Sequence, residues 1–376
     1  MDAAALPAPD PEAGAGAPLL GAHPTPEGDP GTGPPLVGSR STAEGGATVP
    51  AGRVAAADAA LPVAAMVAAA TRRVVGRSGA VEVVAAALAA GRSILLEGPP
   101  GTGKTTLLRA LSEGAGIPLV VVEGNAELSP GRLVGSHDPS RLLAEGYRPD
   151  NFVPGPLVEA MTGGALLYVE ELNRVPEETL NVLLGVLSER SLQVPRYGQV
   201  RAAPTFRLVA AMNPYDAVGT GRISPALYDR TCRVALGYQS AAEETAIVAR
   251  GAPGPRDLVA AAVRATRATR SHPDLRVGAS VRGALDLVAV ALALGEVRSG
   301  SGFAADPSAW QDAGADAALA ALSGRVTRRD GGGRTVEEVI AEIWAEAVSA
   351  GGGEEPGKAG GPDRPRAGAG PEQPSR

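Results

Sequence analysis

The sequence predicts an α/β fold, a parallel sheet flanked by helices on both faces, followed by a smaller all-helical domain. Three observations carry this. Short β-rich runs alternate with helical segments between about residues 80 and 211, the pattern of strand–helix–strand crossovers. A glycine-rich turn separates the first run from the helix after it. From about residue 241 the strand signal disappears, and Ala/Leu/Val patterns at helical spacing take over.

The elements follow in order. An Ala/Val-rich helical stretch covers about 80–90, and Ser93-Ile94-Leu95-Leu96-Glu97 reads as a short buried strand. A helix runs from Lys104 to about Ser112, and Leu119 to Val122 form a second strand. Ala165 to Val169 form a third, with a helix from about Glu177 to Arg190 after it. Phe206 to Ala211 form a fourth. Helical patterns then occupy 241–250, 256–270, 280–297 and 335–348. The ends differ. Residues 1–50 hold ten Pro and nine Gly without apolar periodicity, and half of 351–376 is Gly or Pro. Neither segment can bury enough apolar surface to offset its ordering entropy, so both are expected to be disordered. That divides the chain into 1–50, an α/β domain over 51–240, a helical domain over 241–350, and a tail over 351–376.

Composition removes several classes of function. Cys232 is the single cysteine, which excludes an intrachain disulfide and a multi-cysteine metal site. His23, His137 and His272 lie too far apart for zinc-type spacing. The net charge is −6 and the pI about 5.3, so no global basic field points to nucleic acid. No apolar run reaches the ~20 residues of a membrane span, and the N-terminus has no basic segment leading an apolar one. A cytoplasmic protein is the expectation.

Gly98-Pro99-Pro100-Gly101-Thr102-Gly103-Lys104-Thr105 matches G-x-x-x-x-G-K-[S/T] between a strand and a helix. The glycines let backbone N–H groups turn in around phosphate oxygens, and the helix N-terminus adds its positive dipole. Lys104 reaches the β- and γ-phosphates and the Thr105 hydroxyl ligates Mg²⁺, with Thr106 completing the binding set. Only Lys104 and Lys358 are lysines among 35 basic residues, and Lys358 lies in the tail. A chain that otherwise uses Arg keeps its one folded-region Lys where a compact ammonium is needed.

The third strand ends in Glu170-Glu171. Carboxylates at the C-terminal edge of a parallel strand face the ligand crevice. Glu170 is expected to hold Mg²⁺ and Glu171 to polarise the attacking water. The fourth strand leads into Asn213-Pro214, where an Asn can hold a water against the γ-phosphate, or simply form a turn before proline.

These residues resemble the AAA+ ATPases, and within them the MoxR-like group. The resemblance runs from about Val75 to Gly295. It takes in Val75-Gly76, the phosphate loop, Leu133-Val134-Gly135, Phe152 to Leu157, Glu170 to Arg174, Ala211 to Pro214, Leu227-Tyr228-Asp229-Arg230 and Gly278 to Arg282. Departures are Glu170 where Asp is usual, and Thr231-Cys232 where an aromatic commonly follows Asp-Arg. The resemblance implies a P-loop NTPase fold of the AAA+ kind with a helical lid. Lys104 and Thr105 correspond to the Walker A pair, Glu170 and Glu171 to Walker B, and Asn213 to sensor 1. Arg230 corresponds to the arginine finger, with Arg222 and Arg233 as competitors, and Arg282 to sensor 2. A surface ion pair with Asp229 is the plainer reading of Arg230, and a solvated helix face that of Arg282. Cys232 reads as a small core residue.

Residues 126–157 and 188–205 look like the two inserts of the family, or ordinary surface loops. The resemblance further implies ATP and Mg²⁺ as ligands, and a homo-oligomeric ring with a hexamer as the expected size. It also implies a client protein remodelled in a chaperone-like way and a partner with a von Willebrand factor A domain. Glu170 leaves open an ATP-binding switch with little turnover. A nucleic-acid motor is opposed by the acidic pI and the scarcity of aromatics for base stacking, and a small-molecule kinase gives Asn213, Arg230 and Arg282 no place.

Overall fold

The computed structural model describes residues 60–214, 223–299, 310–331 and 333–350. The segments expected to be disordered, 1–50 and 351–376, lie outside the described residues, as does Arg222.

Two helices, α1 (Val63–Arg73) and α2 (Ser78–Ala89), precede β1 (Ile94–Glu97). The glycine-rich turn leads into α3 (Lys104–Ala115) and then β2 (Leu119–Glu123). The first insert holds α4 (Pro130–Val134), β3 (Gly135–His137), α5 (Pro139–Glu145) and β4 (Phe152–Pro154), with β3 and β4 paired antiparallel. Next come α6 (Pro156–Gly163), β5 (Leu166–Glu170) and α7 (Glu177–Glu189). The second insert is an antiparallel hairpin of β6 (Ser191–Val194) and β7 (Gly198–Arg201). β8 (Arg207–Met212), α8 (Pro225–Asp229) and β9 (Cys232–Ala235) complete this part.

The sheet has the order β2-β5-β8-β1-β9, and every pairing in it is parallel. Side chains alternate between its faces, as strand geometry demands. Ile94, Leu96, Leu166, Tyr168, Val209 and Ala211 pack with α1, α2 and α3. Leu95, Leu167, Val169, Leu208, Ala210 and Met212 face the other way, against Leu157, Met161, Leu183 and Val186 of α6 and α7. Both faces are covered, which is why these strands read as continuous apolar runs. Each fully buried Leu or Ile stabilises this arrangement by about 1.5–3 kcal/mol.

The chain then forms α9 (Ala241–Gly251), α10 (Arg256–Ala268), β10 (Leu275–Val277), α11 (Val281–Ser299), α12 (Trp310–Leu322), β11 (Thr327–Arg328) and α13 (Val336–Ser349). Its helices enclose a separate core around Val248, Leu258, Leu287, Ile340 and the edge-to-face pair Trp310–Trp344. The expectation of a purely helical region needs one correction, because β10 and β11 pair antiparallel. Runs of three and two residues, three of the five polar, are too short to carry a period-two signal. Among the described residues, no helix is long and apolar enough to cross a membrane.

Candidate active site

β1 lies between β8 and β9, so the glycine-rich loop leaves the interior of the sheet at its C-terminal edge. Gly101 (φ +72°) and Gly103 (φ +84°) occupy the left-handed region that L side chains avoid. A Cβ on Gly98 would lie 2.1 Å from the Leu236 carbonyl oxygen, so the loop also needs glycine for close approach. Lys104 opens α3 and turns back, its Nζ donating to the carbonyls of Gly98 (2.7 Å) and Pro99 (3.1 Å). Thr102 Oγ1 donates to the Pro99 carbonyl at 3.0 Å. Burial pulls the Lys104 ammonium below its ordinary pKa; Glu171 and Glu170 oppose this, while Arg77 and Arg282 add to it.

Thr105 Oγ1 donates to Glu170 Oε1 at 2.5 Å, joining the two groups expected to share a metal. Glu171 follows in the left-handed conformation (φ +48°) and pairs with Arg174 at 3.5 Å. Such a conformation costs a non-glycine residue about 1–2 kcal/mol. Gly124 makes room for this turn, since a Cβ there would lie 2.5 Å from the Glu171 oxygen and 2.6 Å from that of Glu170. Lys104, Thr105, Thr106, Glu170, Glu171 and Arg282 line one pocket of about 130 Å³, and Arg282 reaches it from α11. Asn213 follows Met212, itself a lining residue, and its carbonyl accepts from Asn173 at 3.5 Å.

Arg230 is not brought to this pocket. It is exposed at the end of α8, where Nε donates to Ser188 Oγ (2.7 Å) and Nη1 to the Ala226 carbonyl (2.9 Å). Its distance to Asp229 is 3.8 Å. Arg233 is tied within the same chain to buried Glu97 at 2.6 Å. Cys232 is exposed, which corrects its expected place in the core. It sits on β9, an edge strand with Val234 alone buried.

Three features escaped the sequence reading. Tyr168 looked like one more apolar strand residue, yet it lines the pocket. Burial, and then the Glu170 carboxylate, push its phenol well above the ordinary value, and its hydroxyl interacts with Thr105 and Glu170. Glu97 accepts from Tyr228 Oη at 3.0 Å as well as from Arg233, which ties α8 and β9 to the residue before Gly98. A second chamber of about 440 Å³ adjoins the pocket and shares Gly101, Gly103, Thr106 and Arg282 with it. A buried acid at a strand end and two Val beside Gly76 were the available signals.

Residues 93–231 match the family described as AAA domain (dynein-related subfamily). An uncharacterized protein of Staphylococcus aureus (strain USA300) is 38% identical over 149 residues, covering 39% of this chain and 56% of its own length. A counterpart from Staphylococcus epidermidis is 37% identical with the same coverage. The chain thus spans little more than half the length of these curated relatives. Among solved structures, the Thermotoga maritima RuvB Holliday junction branch migration motor is 17% identical, with a TM-score of 0.41 over 60% of this chain and 65% of its own. A Cytophaga hutchinsonii protein is 18% identical, with a TM-score of 0.41 over 75% and 93%. Residues 93–231 thus match an AAA domain, here within a parallel sheet of P-loop type followed by a helical region.

Proposed function

We propose that this chain is a cytoplasmic MoxR-like AAA+ ATPase. It binds ATP with Mg²⁺ between the α/β and helical regions and hydrolyses it at the subunit interfaces of a hexameric ring. The motion remodels or activates a client, with a von Willebrand factor A domain protein as partner. One observation carries the reading: the 2.5 Å link from Thr105 to Glu170 lies in the same pocket as Lys104, Glu171 and Arg282.

The donor set suits a hard divalent cation, being a hydroxyl and a carboxylate already in contact. Thr105 and Glu170 would hold Mg²⁺, which when bound neutralises charge on the phosphate oxygens. Lys104 exchanges its two loop carbonyls for phosphate oxygens. Glu171 accepts a proton from the attacking water, and Asn213 orients that water. Arg282 draws the helical region onto the phosphates. Arg230, exposed and outside its own pocket, completes the site of the adjoining subunit.

Glu171→Gln tests the reading. It should keep ATP affinity and lose steady-state phosphate release by about a hundredfold or more, since a positioned base contributes 10²–10⁴ in rate. Unchanged turnover in that variant refutes the assignment. A second reading, an ATP-binding switch with little turnover, is favoured by the Glu171–Arg174 pair, which competes for the base. ATP binding without phosphate release by the assembled wild-type protein selects it.

A further inference from the structure

The two inserts meet in a cluster of rings. Phe152 on β4 lies 4.4 Å, centroid to centroid, from Tyr197 in the turn between β6 and β7. His137 on β3 stands edge-on to Phe152 at 5.4 Å and to Tyr147 at 5.1 Å, and the Arg196 guanidinium lies 3.7 Å over the Tyr147 ring. The whole chain has only 3 Phe, 6 Tyr and 2 Trp, so this gathering is a local enrichment. A groove of about 440 Å³ lies between the inserts. The first insert lines it with His137, Leu142, Tyr147 and Phe152, the second with Leu192 and Pro195. None of its described lining residues is Asp, Glu, Lys or Arg. Tyr147 is 53% exposed, and Leu143, next to Leu142, is 91% exposed. A concave apolar face open to water marks a contact surface.

The sequence supplies a segment of matching shape. Residues 351–376, outside the described residues, hold Pro356, Pro362, Pro365, Pro371 and Pro374. Every interval between these prolines is a multiple of three. A polyproline II helix has three residues per turn, so all of their rings fall on one edge of it. Prolines placed independently would share one of three registers roughly once in eighty times. The prolines of 1–50 show no common register. Among all 33 prolines, the pairs spaced by three are Pro362–Pro365 and Pro371–Pro374. Aromatic-walled grooves take such an edge because the helix is preformed and little ordering entropy is lost. Its backbone carbonyls need donors, and Ser136 and Gln193 also line the groove. From Ala350, where the described residues end, to Pro374 such a helix spans about 75 Å. A compact unit of about 300 residues is roughly 50 Å across, so the segment can reach any face of its own chain.

We propose that the proline edge of residues 356–374 docks, as a polyproline II strap, in the groove between the two inserts, against His137, Tyr147 and Phe152. The groove shares no lining residue with the phosphate pocket, so the inference stands apart from nucleotide binding.

The test is hydrogen exchange of the full-length protein, read by mass spectrometry over residues 135–154 and 191–201. Wild type is compared with the quadruple variant Pro362→Ala, Pro365→Ala, Pro371→Ala and Pro374→Ala. Those segments should exchange about tenfold faster in the variant, as for loss of a tethered ligand whose effective concentration is about ten times its dissociation constant. A synthetic peptide of residues 356–374, added to the variant, should restore the protection. The same peptide with one alanine inserted after Gly368 moves Pro371 and Pro374 off the edge and should protect far less at equal concentration. Tyr147→Ala in the quadruple background should abolish the effect of either peptide. Equal exchange in wild type and the quadruple variant overturns the inference, as does equal protection by the two peptides. Protection that survives Tyr147→Ala places the segment on another face and also overturns it. So does protection of the quadruple variant that rises with protein concentration, which would assign the groove to a second copy.

Discussion

Gly101 is where the phosphate loop and the helical region meet, and replacing it with alanine measures how closely. Two costs combine in Gly101→Ala. The residue sits at φ +72°, which costs an L side chain about 1–2 kcal/mol. The new Cβ would also lie 2.4 Å from Ser280 Oγ and 2.6 Å from Ser280 Cβ. The hydroxyl can rotate away, but the Cβ is fixed to the backbone just ahead of α11. Reaching ordinary contact requires the loop and that helix to part by roughly 1 Å, an overpacking cost of about 1–3 kcal/mol. Gly103→Ala supplies the control. Its φ is +84° and its Cβ would meet nothing within 4 Å, so it carries the backbone cost alone. Ser280→Gly supplies the rescue, removing both offending atoms. Equilibrium urea unfolding of the four variants, the fourth being the double mutant, closes the cycle. Gly101→Ala should be destabilised beyond Gly103→Ala by about 1–3 kcal/mol, and Ser280→Gly should recover most of that excess. If Gly101→Ala costs the same with and without Ser280, the loop and α11 do not meet as described.

Three further predictions concern assembly and the helical region. Arg230→Ala should bind ATP normally and lose most hydrolysis, and mixing it with Lys104→Ala subunits should restore part of the activity in a phosphate-release assay; no recovery refutes action across an interface. Glu244 is 1% exposed between Arg267 and Arg270, so Glu244→Ala strands two guanidinium groups and should cost about 3 kcal/mol or more by denaturant unfolding, whereas a loss under about 1 kcal/mol refutes the bridge. The Glu243 carboxyl is held below its ordinary value of 4.5, first by the Ser240 backbone N–H. Its folded pKa is depressed, so its contribution is full above that value and is lost as pH falls through the folded pKa. The Tm gap between wild type and Glu243→Gln should therefore shrink between about pH 6 and pH 3; a constant gap refutes the linkage. The carboxyl is exposed and screened, so that gap should correspond to less than about 1 kcal/mol.

The sequence made β1, β5 and β8 legible because each is buried on both sides and mainly apolar, and β2, an edge strand with Val122 alone buried, because it still runs Leu-Val-Val-Val. The phosphate loop was legible because its spacing is itself the chemistry. β9 was not, since Arg233 and Cys232 face outward on an edge strand and Val234 alone is buried. α1 and α12 were missed because their periodic positions are mostly alanine, which signals helix without saying which face is inside. Gly314 shows how such packing works: a Cβ there would lie 2.4 Å from the Trp344 ring. In the site, Lys104, Thr105, Glu170 and Glu171 came together as the motifs require. Glu97, Tyr168 and Gln239 carry no motif. What distinguishes them is burial, together with a partner distant in the chain (Thr105 for Tyr168, Tyr228 for Glu97) or, for the Gln239 Oε1, the lack of one among the described residues, which no local pattern encodes.

Tyr228 and Arg233 stand on either side of Arg230 in the chain, and both are hitched to Glu97, one residue ahead of Gly98. A pull on Arg230 by an adjoining molecule thus has a short mechanical route to the phosphate cradle, through one ring, one guanidinium and one carboxylate. The same rigging works in reverse. In the ring proposed above, a loop that tightened around its own cargo would shift the anchor of Arg230, so occupancy in one protomer would become tension in the next.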